Sequence, residues 1–140
     1  MKNKRKLFNL IFLIGLVFAG CSNDTDNNAD AIAPKIFIQS PILLLNYSTD
    51  IGNSNVPYKV TFKAQGADET KISTLKLIVT NSEGNIVLEK ISVSDSDSKS
   101  ILDIYVQYET TNVGTYSAEF IATDTSGNIS SKSVDFTYED

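Results

Sequence analysis

The chain has 140 residues, with 12 Lys and Arg against 17 Asp and Glu, no His, no Trp and a single Cys. The absence of His excludes a Ser-His-Asp triad, a Cys-His dyad and an imidazole metal ligand, and one Cys excludes a disulfide within the chain. The acidic balance argues against binding to nucleic acid, whose phosphates attract basic proteins.

The first twenty residues have the pattern of a secretory signal. Four basic residues among the first six precede an apolar run from Leu7 to Phe18, and the small residues Ala19 and Gly20 follow it. The run is too short for a comfortable membrane span. We therefore predict that residues 1–20 are a cleaved signal peptide.

The segment Phe18-Ala19-Gly20-Cys21 resembles the lipobox of bacterial lipoproteins, with Phe18 at a position where Leu is commoner. The resemblance implies that Cys21 carries a diacylglyceryl group, that the signal is cut before it, and that the new amino group is acylated. Two or more acyl chains hold a protein stably on a membrane. The alternative is an ordinary signal peptide with an incidental cysteine.

Residues 21–33 are predicted to be the lipidated cysteine and a disordered acidic tether, because residues 22–33 are polar and lack hydrophobic periodicity. The acidic stretch also resembles the export signals of surface lipoproteins in Bacteroidota. The expected location is the outer membrane or the cell surface. Removal of residues 1–20 takes away four basic residues and no acidic ones, so the mature chain has a net charge of -9.

Residues 34–140 are predicted to be one domain in which apolar residues alternate with polar ones, the pattern of half-buried strands. Val56 and Tyr58 are expected to face the core in the third strand, and residues 42–45 either continue the first strand or switch to a second sheet. The predicted strands are residues 35–39, 42–45, 56–65, 72–80, 85–93, 100–108, 115–123 and 129–138. This series predicts an all-β fold, an Ig-like antiparallel β-sandwich of seven or eight strands.

Two of the predicted hairpins have turns rich in Gly and Asn, at residues 82–85 and 125–128. Three stretches resemble bacterial Ig-like domains: residues 34–41 (PKIFIQSP), 68–75 (DETKISTL) and 114–128 (GTYSAEFIATDTSGN). The resemblance implies a sandwich of the wider Ig-like or fibronectin-like group, without the Trp and disulfide of antibody domains. It also suggests Tyr116 for a tyrosine corner, in which the hydroxyl bonds back to the chain.

Carboxylates are the strongest acid–base and metal-binding candidates in the domain. In Ig-like topology three loops gather at the end where the tether enters, and they carry five carboxylates: Asp68, Glu69, Asp95, Asp97 and Asp124. Calcium takes six to eight oxygen ligands. We predict a calcium site at Asp68, Asp124 and Asn128. The alternative is that these residues only cap the backbone of their own turns. No other cofactor is expected.

Tyrosine gives a second kind of candidate site. Tyr105 is predicted on the outer face of its strand, opposite to Leu102 and Ile104, and Tyr47 lies in an irregular Asn-rich stretch. Exposed tyrosines can stack on sugar rings or anchor a protein partner, so Tyr47 and Tyr105 are candidate ligand-binding residues. The alternative is that each packs against cross-strand neighbours on the sheet surface.

These observations predict a membrane-anchored lipoprotein with one Ig-like domain, acting as a non-catalytic binding or structural module. Its expected partners are the membrane, through the lipid, and an unidentified protein or glycan, but not nucleic acid. A carbohydrate-binding accessory module of a glycan-uptake system is the alternative. An enzyme is not expected, because a paired-carboxylate mechanism needs a cleft between two acids, and the candidate acids Asp68, Asp95 and Asp124 lie in loops.

Overall fold

The computed structural model describes residues 30–42, 45–50, 52, 56–96 and 99–140, and these residues form strands and turns without a helix. No helix able to cross a bilayer therefore occurs among them. The predicted signal peptide, Cys21 and most of the predicted tether lie outside the described residues, as does Asp97. The strands are β1 (Lys35–Ser40), β2 (Leu45–Ser48), β3 (Val60–Ala67), β4 (Ile72–Asn81), β5 (Ile86–Val93), β6 (Ile101–Tyr108), β7 (Gly114–Asp124) and β8 (Ile129–Glu139).

The strands form two sheets that pack face to face as a β-sandwich, which confirms the predicted fold class. One sheet has the order β1-β3-β6 and the other has the order β2-β8-β7-β4-β5. All pairs are antiparallel except β2 and β8, which are parallel. The exception arises because the chain leaves the first sheet after β1 and joins the second as β2, which was one of the two predicted courses for this segment.

The core follows the alternation of the sequence. On β4, Leu75, Leu77 and Val79 are fully buried, whereas the residues between them are only partly buried. Facing side chains from β1, β3, β6, β7 and β8 complete one continuous apolar cluster. The cluster needs no disulfide, since burial of side chains of this size stabilises each by about 1.5–3 kcal/mol relative to exposure.

The predicted start of the third strand was wrong. That strand begins at Val60, and both Val56 and Tyr58 are 50% exposed instead of facing the core. The physical reason is the proline between them. Pro57 has no N–H to donate, which disfavours a regular ladder there, and the following N–H of Tyr58 donates to the carbonyl of Ser48 at 2.9 Å.

Local bonds predicted from the sequence are present. The hydroxyl of Tyr116 donates to the carbonyl oxygen of Asn112 at 2.8 Å, which confirms the tyrosine corner. Gly84 and Gly127 have φ angles of 81° and 90°, a conformation that glycine adopts at low cost in the two predicted hairpin turns.

The topology gives the sandwich two distinct ends. At one end the N–H of Asp68 donates to the carbonyl of Ser100, and the N–H of Thr125 donates to the carbonyl of Lys71. The β3–β4, β5–β6 and β7–β8 loops therefore meet there, at the end where β1 begins, and we call this the tether end. The opposite end holds β2, the last residues of β8 and the beginning of β3, and we call it the far end.

Candidate functional site

The carboxylates of Asp30, Asp68 and Asp124 converge at the tether end. One oxygen of each lies within 4.8 Å of the others. Asp124 is 2% exposed and Asp68 is 9% exposed, so two of the three charges are nearly removed from solvent. Asp68 and Asp124 were predicted as calcium ligands, whereas Asp30 lies in the segment that was predicted to be the tether. We call these three residues the acidic cluster.

Each carboxylate of the acidic cluster also accepts hydrogen bonds from nearby donors. Asp68 Oδ1 accepts from the N–H groups of Thr70 and Lys71, at 2.9 and 3.0 Å. Asp124 accepts from Asn128 twice, from its N–H at 2.8 Å and from its side-chain amide at 2.7 Å. These bonds cap the backbone of the two turns, which is the role predicted as the alternative to metal binding. A calcium ion would have to share these oxygens.

The third predicted ligand, Asn128, joins the acidic cluster through its amide nitrogen. Besides Asp124, that nitrogen donates to the backbone carbonyl of Asp30 at 2.7 Å. The carboxylate of Asp30 lies 2.6 Å from the hydroxyl of Thr70, and it accepts the N–H of Ile32 at 2.9 Å. These donors, with Thr70 the larger influence, hold the pKa of Asp30 below its usual value. The result is that the chain is bonded to the domain from Asp30 onward.

Two other carboxylates that were predicted at the tether end form ion pairs with lysines. Asp95 pairs with Lys99 at 3.3 Å, and Glu69 lies 3.8 Å from Lys35. The four side chains are between 41% and 80% exposed, and exposed pairs of this kind contribute little to stability. They stand apart from the acidic cluster, in which the hydrogen bonds of Asp68 and Asp124 are partly buried.

A groove of about 420 Å³ opens at the far end, where β1 has left the first sheet. It lies between residues 46–48 of β2 and the chain that leads into β3, and its lining includes Tyr47, Tyr58 and Thr61. The rings of Tyr47 and Tyr58 are stacked, with centroids 5.4 Å apart and an interplanar angle of 29°. Pockets of this size are large enough for small ligands. We call it the tyrosine groove.

Tyr58 is held in place at three points. Its N–H donates to Ser48, its carbonyl accepts the hydroxyl of Tyr138 at 2.6 Å, and its ring stacks on Tyr47. Burial raises the pKa of the Tyr138 hydroxyl to about 12, so this donor keeps its proton at neutral pH. Tyr58 is therefore both half exposed and preorganised, which lowers the entropy cost of binding a ligand.

The predicted ligand-binding tyrosines have different surroundings. Tyr47 lies on β2, not in irregular chain, and its ring packs against Phe136 and Tyr138 of the core. Tyr105 is 63% exposed on β6, as expected for the outer face. The two are not in contact: Tyr47 lines the tyrosine groove and Tyr105 lies on the sheet surface beside it.

Two residues of these sites, Asp30 and Tyr58, were not predicted as site residues from the sequence. Asp30 lies in a run of Asn and Asp that gives no sign of order, although it comes four residues before Pro34, where the predicted domain begins. Tyr58 was assigned to the core by alternation alone. Its neighbour Pro57 was the available signal, since proline within an apparent strand argues against regular pairing.

Comparison with known proteins gives similarity of fold only. No family model and no curated protein matches the sequence. The crystal structure of an engineered protein, at 1.98 Å resolution, is similar with a TM-score of 0.50 and 14% identity, over 76% of this chain and 20% of the engineered one. CopC from Methylosinus trichosporium OB3b gives a TM-score of 0.43 and 16% identity, over 75% of this chain and 94% of CopC. This chain thus spans a fifth of the engineered protein's length, and at such identities the likeness concerns the fold alone.

Proposed function

We propose that the chain is a membrane-anchored lipoprotein whose β-sandwich is a non-catalytic binding module at the cell surface or outer membrane. The anchor rests on the resemblance of residues 18–21 to a lipobox, with Cys21 as the lipidated residue. The absence of His, and the use of the acidic cluster as hydrogen-bond acceptors, support a role without catalysis.

The observation that carries the proposal is the separation of the two ends. The chain is bonded to the domain at Asp30, and Cys21 lies nine residues earlier, a span of at most ~32 Å when extended. A lipid on Cys21 keeps the tether end near the bilayer. The tyrosine groove opens at the other end of the sandwich, where a partner has access.

Photo-cross-linking in intact cells tests this arrangement. We would place benzoylphenylalanine at Tyr58, in the tyrosine groove, or at Ile129, which is 62% exposed at the tether end. The proposal predicts defined adducts from position 58 and none from position 129, with unchanged melting temperatures for both variants. Adducts from position 129 alone would place the partner at the tether end and reject the proposal.

A carbohydrate-binding accessory module of a glycan-uptake system is the second candidate. One observation favours it: the tyrosine groove combines aromatic rings with amide and hydroxyl groups, such as those of Asn46 and Ser48. This combination suits a sugar, which has apolar ring faces and polar edges.

A further inference from the structure

The tyrosine groove continues onto the outer face of the three-stranded sheet. Thr61 lines the groove and points outward, because its neighbours Val60 and Phe62 are fully buried. Thr61 pairs with Gln107 on β6, and the amide of Gln107 donates to its hydroxyl at 3.4 Å. Thr61 therefore connects the rim of the groove to the outward side chains of β6.

Tyr105 borders the same surface. The next outward pair along these strands is Lys63 with Tyr105, so Tyr105 is the diagonal neighbour of Thr61. Diagonal neighbours on an antiparallel sheet are about 7–8 Å apart, within reach of a tyrosine ring. Tyr58 and Tyr105, which are 50% and 63% exposed, thus lie along one path with Thr61 between them.

The side chains along this path are polar and their charges balance. Lys59 lies 3.6 Å from Glu109, and farther along β3 and β6 Lys63 is accompanied by Asp103. Two cations and two carboxylates leave no net charge to attract an acidic or basic ligand. The outward residues of the two strands between Thr61 and Gln65, and between Asp103 and Gln107, include no aliphatic side chain, whereas the centre of a protein interface is mostly apolar.

We propose that this path binds a linear, neutral oligosaccharide, with Tyr58 and Tyr105 as two stacking positions. Each exposed ring covers the apolar face of one sugar unit, and the amide and hydroxyl groups of Asn46, Thr61 and Gln107 exchange hydrogen bonds with sugar hydroxyls. This inference rests on the proposed binding function and names the ligand class for it.

Titration calorimetry on the full chain, extracted from membranes in a detergent without a sugar head group, tests the inference. The probes are linear glucan, xylan, mannan, galactan and fructan hexasaccharides, their disaccharides, and an oligogalacturonate as the acidic comparison. We expect at least one neutral hexasaccharide to bind. Tyr58→Ala should weaken the binding of both the hexasaccharide and the disaccharide about tenfold or more, whereas Tyr105→Ala should weaken the binding of the hexasaccharide only.

The control is Ile91→Ala, which removes an exposed side chain from β5 in the other sheet and should leave binding unchanged. Failure of every neutral hexasaccharide to bind the folded chain, tighter binding of the oligogalacturonate, or insensitivity to both tyrosine substitutions would overturn the inference. A chain that cross-links at position 58 but binds no oligosaccharide rejects the glycan and leaves the proposed function standing.

Discussion

The hydroxyl oxygen of Thr70 lies 2.6 Å from a carboxylate oxygen of Asp30, and this contact bonds the end of the predicted tether to the β3–β4 loop. The same hydroxyl lies 2.7 Å from Asp68, so its one proton is donated to one carboxylate at a time. The tether and the domain thus meet through a polar contact between residues forty positions apart in the chain.

The pKa of Asp30 tests this contact. The Thr70 hydroxyl is the largest influence that lowers that pKa from its ordinary value of 3.8. Thr70→Val should raise the pKa toward 3.8, and Thr70→Ser should keep it low, as measured by NMR titration of the Asp30 carboxyl carbon. Because the folded pKa is lowered, Asp30 stabilises the fold above pH 3.8 and this contribution is lost as the pH falls through the folded pKa. An unchanged pKa in Thr70→Val would show that the contact is not formed in solution.

The calcium site stays a prediction, and a thermal shift decides it. Three carboxylates within 4.8 Å of one another can offer oxygens to one ion. If they do, calcium at ten times its dissociation constant should raise the melting temperature by roughly 5 °C. Magnesium, which demands a stricter octahedral geometry, should raise the melting temperature less than calcium does.

The matched variant for the calcium test is Asp30→Asn, which removes one charge without altering a buried strand residue. It should abolish the calcium-dependent rise. No rise in the original protein would leave the acidic cluster with its turn-capping role alone.

The sequence predicted the strands well because burial here follows alternation. Leu75, Leu77 and Val79 are apolar, evenly spaced and fully buried, so the pattern and the structure agree. The sites were less predictable, because they join distant segments. The surroundings of Tyr58 are determined by β2, which comes from the other sheet, and Asp30 becomes part of a cluster only when the fold brings two loops beside it.

Alkaline pH should unfold the domain at its far end. Burial raises the pKa of Tyr138 from 10.0 to about 12, and burial also raises the pKa of Tyr47 and Tyr108. The raised pKa of Tyr138 means that its contribution to stability is complete below pH 10.0 and is lost as the pH rises toward about 12. Phenolate absorbance and circular dichroism should change together in that range.

Tyr138→Phe is the control for the alkaline transition, because it removes the phenol with the largest shift. The step of phenolate formation that occurs at the highest pH should disappear in this variant. Ionisation of every tyrosine near pH 10 in a protein that stays folded would contradict the raised pKa.

A close contact between the sheets makes Gly66 sensitive to substitution. A Cβ atom at this position would lie 2.7 Å from Cδ1 of Ile72 and 3.3 Å from Cδ1 of Leu75. Gly66→Ala should therefore lower the free energy of unfolding by about 1–3 kcal/mol, measured by chemical denaturation.

Ile72→Val removes the closest of these atoms and provides a double-mutant test. Alone, Ile72→Val should lower the free energy of unfolding by about 0.5–1.5 kcal/mol. Combined with Gly66→Ala, it should lower that free energy by less than the sum of the two single losses. Strict additivity would show that the added methyl group does not meet Ile72.

The intact mass of the mature protein extracted from membranes tests the anchored module most directly. We predict a chain that begins at Cys21 and carries the added mass of a diacylglyceryl group and an amide-linked acyl chain, and we expect Cys21→Ser to lack both additions. An unmodified chain, or a mature chain that begins at another residue, would contradict the anchor and with it the proposed presentation of the tyrosine groove away from the membrane.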